Sequence, residues 1–262
     1  MLRALYTAAT GMIAQQLNLD VIANNLANVN TTAFKKSTAE FQDLMYEIIE
    51  EPGTSSSNSG NSPTGIQLGR GVRPAAVGKL FSQGDFQSTG NNLDIGIEGE
   101  GFFQLTLPSG ETAYTRNGSF KLDETGNMVN ADGFEMNPTI TIPEDTLNVT
   151  IGRDGVVSVR QPGSATNTQI GTIQIVRFQN PSGLRAGGSN LFYETESSGA
   201  PTTGQPSLDG YGSLAQGFLE SSNVSVVEEI VGMVKGQRAY ESNSKVIQTG
   251  DQMLSNAINV KR

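Results

Sequence analysis

The chain has 262 residues and a formal net charge of −9, which disfavours nucleic acid and anionic membranes as partners. It contains no Cys, His or Trp. Their absence excludes disulfides and thiol nucleophiles, and it removes the usual transition-metal ligands and the commonest general base near neutral pH.

The first 34 residues contain only two charged side chains, Arg3 and Asp20. Apolar residues in this segment alternate at spacings of three and four, which predicts a helix with a coiled-coil seam. The seam consists of Leu2, Leu5, Ala9, Met12, the polar Gln16, Leu19, Ala23 and Leu26. The opposite face carries amides instead of charges, which is unusual for a helix in water. We therefore expect this helix to be an assembly surface.

The middle of the chain changes its pattern several times. Residues 41–50 have an apolar spacing that fits either a short helix or an extended arm, and residues 52–65 have the composition of a flexible linker. From about residue 69 to residue 211 apolar residues alternate with polar ones, as in the run around Phe103, and turn signals such as 131–133 separate the runs. This pattern predicts an antiparallel sandwich or barrel.

The last forty residues, roughly, predict a second long helix. Apolar residues recur every seven positions at Val226, Met233, Tyr240, Ile247 and Leu254. A capping box at 225–228 marks the start of the helix. The chain is therefore predicted to be an α+β protein, in which the N- and C-terminal helices pair as a coiled coil and an all-β antiparallel domain is inserted between them.

The predicted helix pair has little stability of its own. Gly11, Gly232, Gly236 and Gly250 each cost about 1 kcal/mol in a helix interior. Ordering the two helices costs a further 1–2 kcal/mol or so per residue. We expect helices that are frayed in the monomer and become ordered among neighbouring copies.

Acidic turn residues are the only candidates for metal or acid–base chemistry. Asp123, Asp132 and Asp154 each precede a glycine in a turn, where an aspartate ordinarily accepts backbone N–H groups. The segment 123–127 resembles half of a calcium loop but lacks the required Gly and distal Glu. We favour the turn interpretation, and we expect no catalytic residue, metal or cofactor.

Asparagines cluster at the end of the first predicted helix, at Asn24, Asn25, Asn28 and Asn30. Three interpretations remain open. The amides could form a ligand-binding polar face, end the helix by bonding backbone groups of the following loop, or make contacts across subunits.

Several motifs resemble those of bacterial flagellar rod and hook proteins. They are residues 23–36 near the N-terminus, 101–103 and 114–120 in the middle, and 217–225 and 237–245 near the C-terminus. The resemblance covers essentially the whole chain. Within the family, the length and the segment 51–73 resemble the members that build the distal rod. Ala33 is a departure, because the family usually has Gly there, and the local turn is expected to differ.

The resemblance implies a non-enzymatic subunit that polymerises helically into a rigid hollow shaft, the distal rod, which transmits torque from motor to hook. It implies an inner-tube domain (1–33 plus 224–262), an extended arm (34–72 plus 210–223) whose insertion reaches neighbouring subunits, and an outer β-rich domain (73–209). The residues predicted to pack between subunits are Leu2, Leu5, Met12, Leu19, Leu26, Asn25, Asn28, Phe34, Met233, Tyr240, Ile247 and Leu254.

The resemblance also implies partners and a location. The partners are further copies of the chain, proximal rod proteins, the hook protein, the peptidoglycan-layer and outer-membrane ring proteins, and the flagellar type III export apparatus. The chain is expected in the basal body across the periplasm, exported without a cleaved signal peptide and not inserted in a membrane. The alternatives are a proximal rod or hook-type subunit and, more remotely, a cell-wall-binding or hydrolytic module.

Overall fold

A computed structural model describes residues 2–52, 55–57, 60–61, 64–163 and 166–260. The helices are α1 (Leu2–Ala27) and α2 (Val226–Val260), and a 3-10 turn covers Pro181–Gly183. The strands are β1 (Ser37–Asp43), β2 (Glu47–Glu50), β3 (Ser55–Ser57), β4 (Gly60–Asn61), β5 (Ile66–Leu68), β6 (Val72–Lys79), β7 (Phe86–Ser88), β8 (Ile95–Glu98), β9 (Phe102–Thr106), β10 (Thr112–Thr115), β11 (Lys121–Leu122), β12 (Met128–Val129), β13 (Glu135–Asn137), β14 (Asn148–Ile151), β15 (Val156–Arg160), β16 (Thr168–Thr172), β17 (Ile175–Arg177), β18 (Arg185–Gly188), β19 (Leu191–Tyr193), β20 (Thr202–Gly204), β21 (Ser213–Gln216) and β22 (Phe218–Glu220).

Two helices around a β-rich middle confirm the predicted α+β class, and α2 begins directly after Ser225 as the capping signal indicates. The finer parts of that prediction, coiled-coil packing and an all-β insert, stay predictions. The prediction of a helix within 41–50 is wrong, because β1 and β2 occupy this segment and the extended alternative holds. Much of the predicted linker at 52–65 lies outside the described residues.

The chain divides into two compact units. The helix unit contains the described parts of 1–27, 37–79 and 225–262, and the β unit contains residues 28–36 and the described parts of 80–224. The backbone therefore passes from one unit to the other four times. The three-part division predicted from the sequence concerns roles in an assembly and stays a prediction.

In the helix unit, α1 packs against α2 in the antiparallel sense, because contacts that move toward the start of α1 move toward the end of α2. The pairs in contact are Ile22 with Gly232, Leu19 with Gly236 and Leu5 with Gly250. The strand pairs among the described residues of this unit are β1 with β6, β2 with β5 and β3 with β4, all antiparallel.

The β unit is built on a sheet with the order β11-β12-β13-β9-β10-β19-β18, to which β17 and β20 are added beside β9. Both faces of β9 are covered. Phe103 and Leu105 belong to the larger apolar core, whereas Phe102 joins an aromatic cluster with Phe178 and Phe192. Ring pairs in that cluster are edge-to-face at centroid distances of 5.7 and 6.1 Å. Burial on both faces makes β9 the centre of the unit.

Gly118 lies where two backbone segments of the β unit meet. Its carbonyl oxygen accepts the N–H of Ile95 at 3.0 Å, and a methyl group built on Gly118 would overlap the carbonyl oxygen of Ile95. We expect Gly118→Ala to lower the free energy of unfolding by about 3 kcal/mol, because backbone cannot move aside as a side chain can. Urea unfolding followed by far-UV circular dichroism checks this.

Gly78 is the control for that substitution, since nothing lies within 4 Å of the methyl group that Gly78→Ala would add. Its effect should stay within about 1 kcal/mol. Equal stability of both variants would show that the approach at Gly118 is looser than the structure has it.

Candidate assembly site

A buried ion network joins three distant parts of the chain, and we call it the ion junction. It consists of Lys35, Arg116 and Glu220, whose side chains are 0%, 4% and 1% exposed. The Lys35 ammonium donates to Glu220 Oε1 at 2.7 Å, and Arg116 Nε donates to Glu220 Oε2 at 2.8 Å. One anion therefore bridges two cations in the interior of the β unit.

The guanidinium of Arg116 has all five of its N–H groups in hydrogen bonds. Beyond the bond to Glu220, Nη1 donates to the carbonyl oxygens of Gly99 and Gly101, both at 3.0 Å. Nη2 donates to Ile97 at 3.1 Å and again to Gly99 at 3.0 Å. Only arginine presents five donors in a fixed planar fork. The end of β8 and the following residues, 97–101, are thereby held around a single side chain.

The other two members of the ion junction also bond to backbone. Lys35 donates to the carbonyl oxygen of Ser82 at 2.8 Å, and Glu220 Oε1 accepts the N–H of Gly84 at 2.9 Å. Burial and the Arg116 charge lower the pKa of Lys35, although Glu220 opposes them. Burial alone would raise the pKa of Glu220, but the charges of Arg116 and Lys35 and the Gly84 N–H outweigh burial and lower it. The carboxylate is therefore ionised at neutral pH.

A second buried polar contact, the helix junction, lies in the helix unit and consists of Asn25, Ser37 and Glu229. Oδ1 of Asn25 accepts the backbone N–H of Ser37 at 2.9 Å, and Nδ2 of Asn25 donates to the backbone carbonyl oxygen of Ser37 at 2.9 Å. The same amide donates to Glu229 Oε2 at 3.2 Å, and Asn25 is 1% exposed. One side chain thus ties α1 to the first residue of β1 and to the first turn of α2.

The residues predicted to pack between subunits are found in several environments. Asn25 and Phe34 are buried, Leu5, Met12, Leu19, Leu26, Asn28, Met233, Ile247 and Leu254 are half-buried, Tyr240 is 41% exposed, and the side chain of Leu2 lies outside the description. Asn25 joins the helix junction, while Leu5 and Leu19 contact glycines of α2. The role of the whole set in contacts between copies stays a prediction.

The helical glycines, which the sequence suggests are only a cost, form the contact line of α2. A methyl group built on Gly236 would lie 3.1 Å from Leu19, and one on Gly250 would lie 2.7 Å from Leu5. Glycine here lets the two helices approach closely. The available signal was a seven-residue repeat through Glu229, Gly236, Asn243 and Gly250, alongside the apolar repeat.

Ala33 adopts a left-handed backbone conformation, which glycine tolerates better than alanine. Its φ is 58°, in the left-handed region, and it is buried. Its N–H donates to the backbone carbonyl of Glu220 at 2.8 Å. A left-handed alanine costs roughly 1–2 kcal/mol. The turn is therefore held by its surroundings, and the expected difference from the family's usual turn stays a prediction.

Of the three acidic turn residues, Asp154 shows the expected turn bond, whereas in the turn at 130–134 the side chain of Asn130 accepts the backbone N–H of Asp132 at 2.9 Å. Asp154 accepts the N–H of Val156 within its turn at 3.3 Å. In the ranges that the structure covers, no group of acidic side chains is arranged to hold a metal ion. In those same ranges, neither helix combines the length and apolarity needed to cross a membrane.

Three family models match the chain, and each contains one member of the ion junction. "Flagella basal body rod protein" matches residues 5–35, "Flagellar hook protein FlgE/F/G D1 domain" matches 96–159, and "Flagellar basal body rod FlgEFG protein C-terminal" matches 215–260. The terminal helices, the β-rich middle and these matches define a structural protein of the flagellar rod-and-hook class.

Individual relatives indicate which member of this class the chain resembles. The flagellar basal-body rod protein FlgG of Borreliella burgdorferi is 50% identical over 264 residues, covering 100% of both chains. FlgG of Buchnera aphidicola subsp. Schizaphis graminum is 49% identical over 97% of this chain and 98% of its own. FlgG of Bacillus subtilis is 42% identical over 100% of both. The chain therefore belongs to the flagellar basal-body rod and hook protein family, and within it resembles the distal rod protein FlgG.

Removing the anion of the ion junction should destabilise the β unit strongly. Glu220→Gln leaves the charges of Lys35 and Arg116 buried without compensation, and we expect a loss of about 3–5 kcal/mol at neutral pH. Because the folded-state pKa of Glu220 lies below 4.5, its stabilisation is complete above about pH 4.5 and is lost as the pH falls through that lower pKa. Urea unfolding across an acidic pH series measures both effects.

Glu124→Gln removes an exposed carboxylate and is the control for this series. It should leave the free energy of unfolding within about 0.5 kcal/mol of wild type. If Glu220→Gln kept the full acid dependence of the wild type, the carboxylate of Glu220 would not be the titrating group.

The helix junction predicts that the stability of the helix unit depends on the side-chain amide of Asn25. Asn25→Asp is nearly isosteric, but it replaces the donating amide with an oxygen that faces the Ser37 carbonyl and the Glu229 carboxylate. We expect the helix unit to lose roughly 3 kcal/mol of stability, measured by the thermal loss of helical circular dichroism. Gln248→Glu, the same change from amide to carboxylate at an exposed position of α2, is the control. Equal melting of the two variants would contradict the bonds assigned to Asn25.

Proposed function

We propose that this chain is a structural subunit of the flagellar distal rod. In this proposal it polymerises helically into a rigid hollow shaft that transmits torque from motor to hook. The similarity to FlgG relatives, at about half identity over nearly the full length of both chains, is the observation that carries the proposal.

The helix unit supports assembly with copies of itself, because it exposes apolar side chains at regular helical positions. On α2 the residues Val227, Ile230, Val231 and Val234 follow spacings of three and four, and Val227 is 73% exposed. Met45, between β1 and β2, is 87% exposed. Exposed apolar side chains at regular helical spacing are characteristic of protein–protein contacts. Burying it among neighbours would stabilise helices whose glycines weaken them individually.

Torque transfer requires many interlocked contacts per subunit. We assign the inner tube to residues 1–33 with 224–262, the connecting arm and its insertion to 34–72 with 210–223, and the outer surface to 73–209. A head-to-tail contact whose rotation does not close into a ring generates a helical filament. In this assignment the terminal helices are frayed in the free monomer and become ordered on assembly.

The remaining proposed partners are the proteins that a rod spanning the periplasm would contact. They are the proximal rod proteins at one end, the hook protein at the other, and the peptidoglycan-layer and outer-membrane ring proteins around the shaft. Export through the flagellar type III apparatus without a cleaved signal peptide is part of the same proposal. The α1–α2 contact remains the element on which polymerisation depends.

A double substitution at that contact tests the proposal. Leu19 contacts Gly236, and Ile247 is half-buried at a predicted seam position of α2. Leu19→Asp with Ile247→Asp therefore places one carboxylate in the contact and a second in the predicted seam. We expect polymerisation to be abolished, because buried unpaired charges are unfavourable, while the thermal transition of the β unit is unchanged. Electron microscopy and circular dichroism measure the two outcomes.

The control adds the same charge to exposed turns of the β unit, as Ser109→Asp with Thr125→Asp. Rods formed by the Leu19 and Ile247 double variant would refute the assignment of the contact. The appearance of the wild-type polymer decides between family members, since a straight rigid tube supports the distal rod and a supercoiled one supports a hook-type subunit.

A further inference from the structure

Residues 212–224 link the β unit to itself more extensively than a connection to α2 requires, and we call them the clasp segment. The segment carries β21 and β22, which pair with β8 and β7 in two separate two-stranded sheets. Leu214 on β21 is 1% exposed and belongs to the larger core. The strands at 86–88 and 95–98 thus find their ladder partners, within the described part of the chain, in its last β segment.

Backbone N–H groups of the clasp segment continue this linkage beyond the strands. They bond to four separate parts of the β unit. Gly212 donates to Glu100 at 2.9 Å, Leu214 to Arg153 at 3.1 Å, Gly217 to Asp94 at 2.8 Å, and Ser221 to Asp85 at 2.7 Å, each acceptor being a backbone carbonyl. Such bonds satisfy backbone groups that would otherwise need water.

Two amide side chains of the clasp segment, those of Gln216 and Asn223, make further hydrogen bonds to the rest of the β unit. Gln216 donates to the carbonyl oxygens of Asn92 and Val149, both at 2.8 Å, and accepts the N–H of Ile151 at 3.1 Å. This one side chain therefore bridges the loop before β8 and the strand β14.

Asn223 makes an equivalent bridge at the other end of the clasp segment. Its Oδ1 accepts the N–H of Lys36 at 2.7 Å, and its Nδ2 donates to the carbonyl oxygens of Leu80 and Ser82 at 2.9 and 3.1 Å. The turn that follows α1 is thereby fixed to the segment before β7.

The charge balance gives the clasp segment a particular importance. Glu220 lies within it and supplies the anion of the ion junction, whereas both cations, Lys35 and Arg116, come from earlier parts of the chain. Without Glu220 the closed β unit would contain two buried like charges, which is strongly unfavourable. If the β unit closed before the clasp segment was bound, two like charges would be buried together and the hydrogen bonds of the clasp segment would be missing. Both effects are unfavourable.

We infer that the β unit closes only when residues 212–224 are in place, so that the clasp segment and the remaining strands open and close as one cooperative unit. A chain emerging N-terminus first would keep its β unit open until nearly all of it had emerged. That use during export rests on the proposed function, whereas the cooperative closure is a property of the isolated chain.

Native-state hydrogen exchange of the unpolymerised 262-residue chain tests this inference. The amides of Gly212, Leu214, Gly217 and Ser221 report on the clasp segment, and the protected amides of β10 and β13 report on the rest of the β unit. We expect both groups to share one opening free energy and one dependence on low urea concentrations. Clasp amides that exchange through a smaller, urea-independent opening while β10 and β13 stay protected would overturn the inference.

Variants at Glu220 provide a second test of the same inference. Glu220→Gln should lower the protection of both groups of amides together, by roughly a hundred- to a few thousandfold. Glu220→Lys, which adds a third cation, should abolish protection in both groups, while Glu124→Lys at an exposed position should leave both unchanged. Retained protection of β10 and β13 in Glu220→Lys would mean that the clasp segment is only an attachment.

Discussion

The carboxylate of Glu220, held between Lys35 and Arg116, is the interaction on which the organisation of the β unit depends. A buried ion network of this kind adds little net stability compared with an apolar core, because desolvation offsets the attraction between the charges. Its contribution is to specify which segments meet. Since every N–H of Arg116 is bonded, and all three charged groups also bond to backbone, the three parts of the chain fit together in one arrangement.

Local sequence patterns were sufficient where they depend only on residues close together in the sequence. The alternation at Phe103 and Leu105 predicts β9, and the capping signal at Ser225 predicts the start of α2, because both patterns depend on neighbours in sequence. The segment 41–50 misled because its apolar residues are not core residues. Ile48 and Ile49 on β2 are more than half exposed, so their spacing does not report an inward-facing helical side.

The two junctions depend on partners that no local window contains. Glu220 lies 185 positions from Lys35 and 104 from Arg116, and Asn25 lies 204 positions from Glu229. The glycines of α2 illustrate the same limit. Taken singly, Gly236 and Gly250 only weaken a helix, and their value follows once Leu19 and Leu5 of α1 lie against them. Motif resemblance located these regions but did not indicate which side chains bond.

The fourfold passage of the backbone between the two units has a mechanical consequence. A pulling or twisting force that acts on one unit reaches the other through the peptide links at 27–28, 36–37, 79–80 and 224–225 together. All four links are covalent, so the connection between the units does not depend on non-covalent contacts alone. Four covalent links suit the torque-transmitting role proposed above.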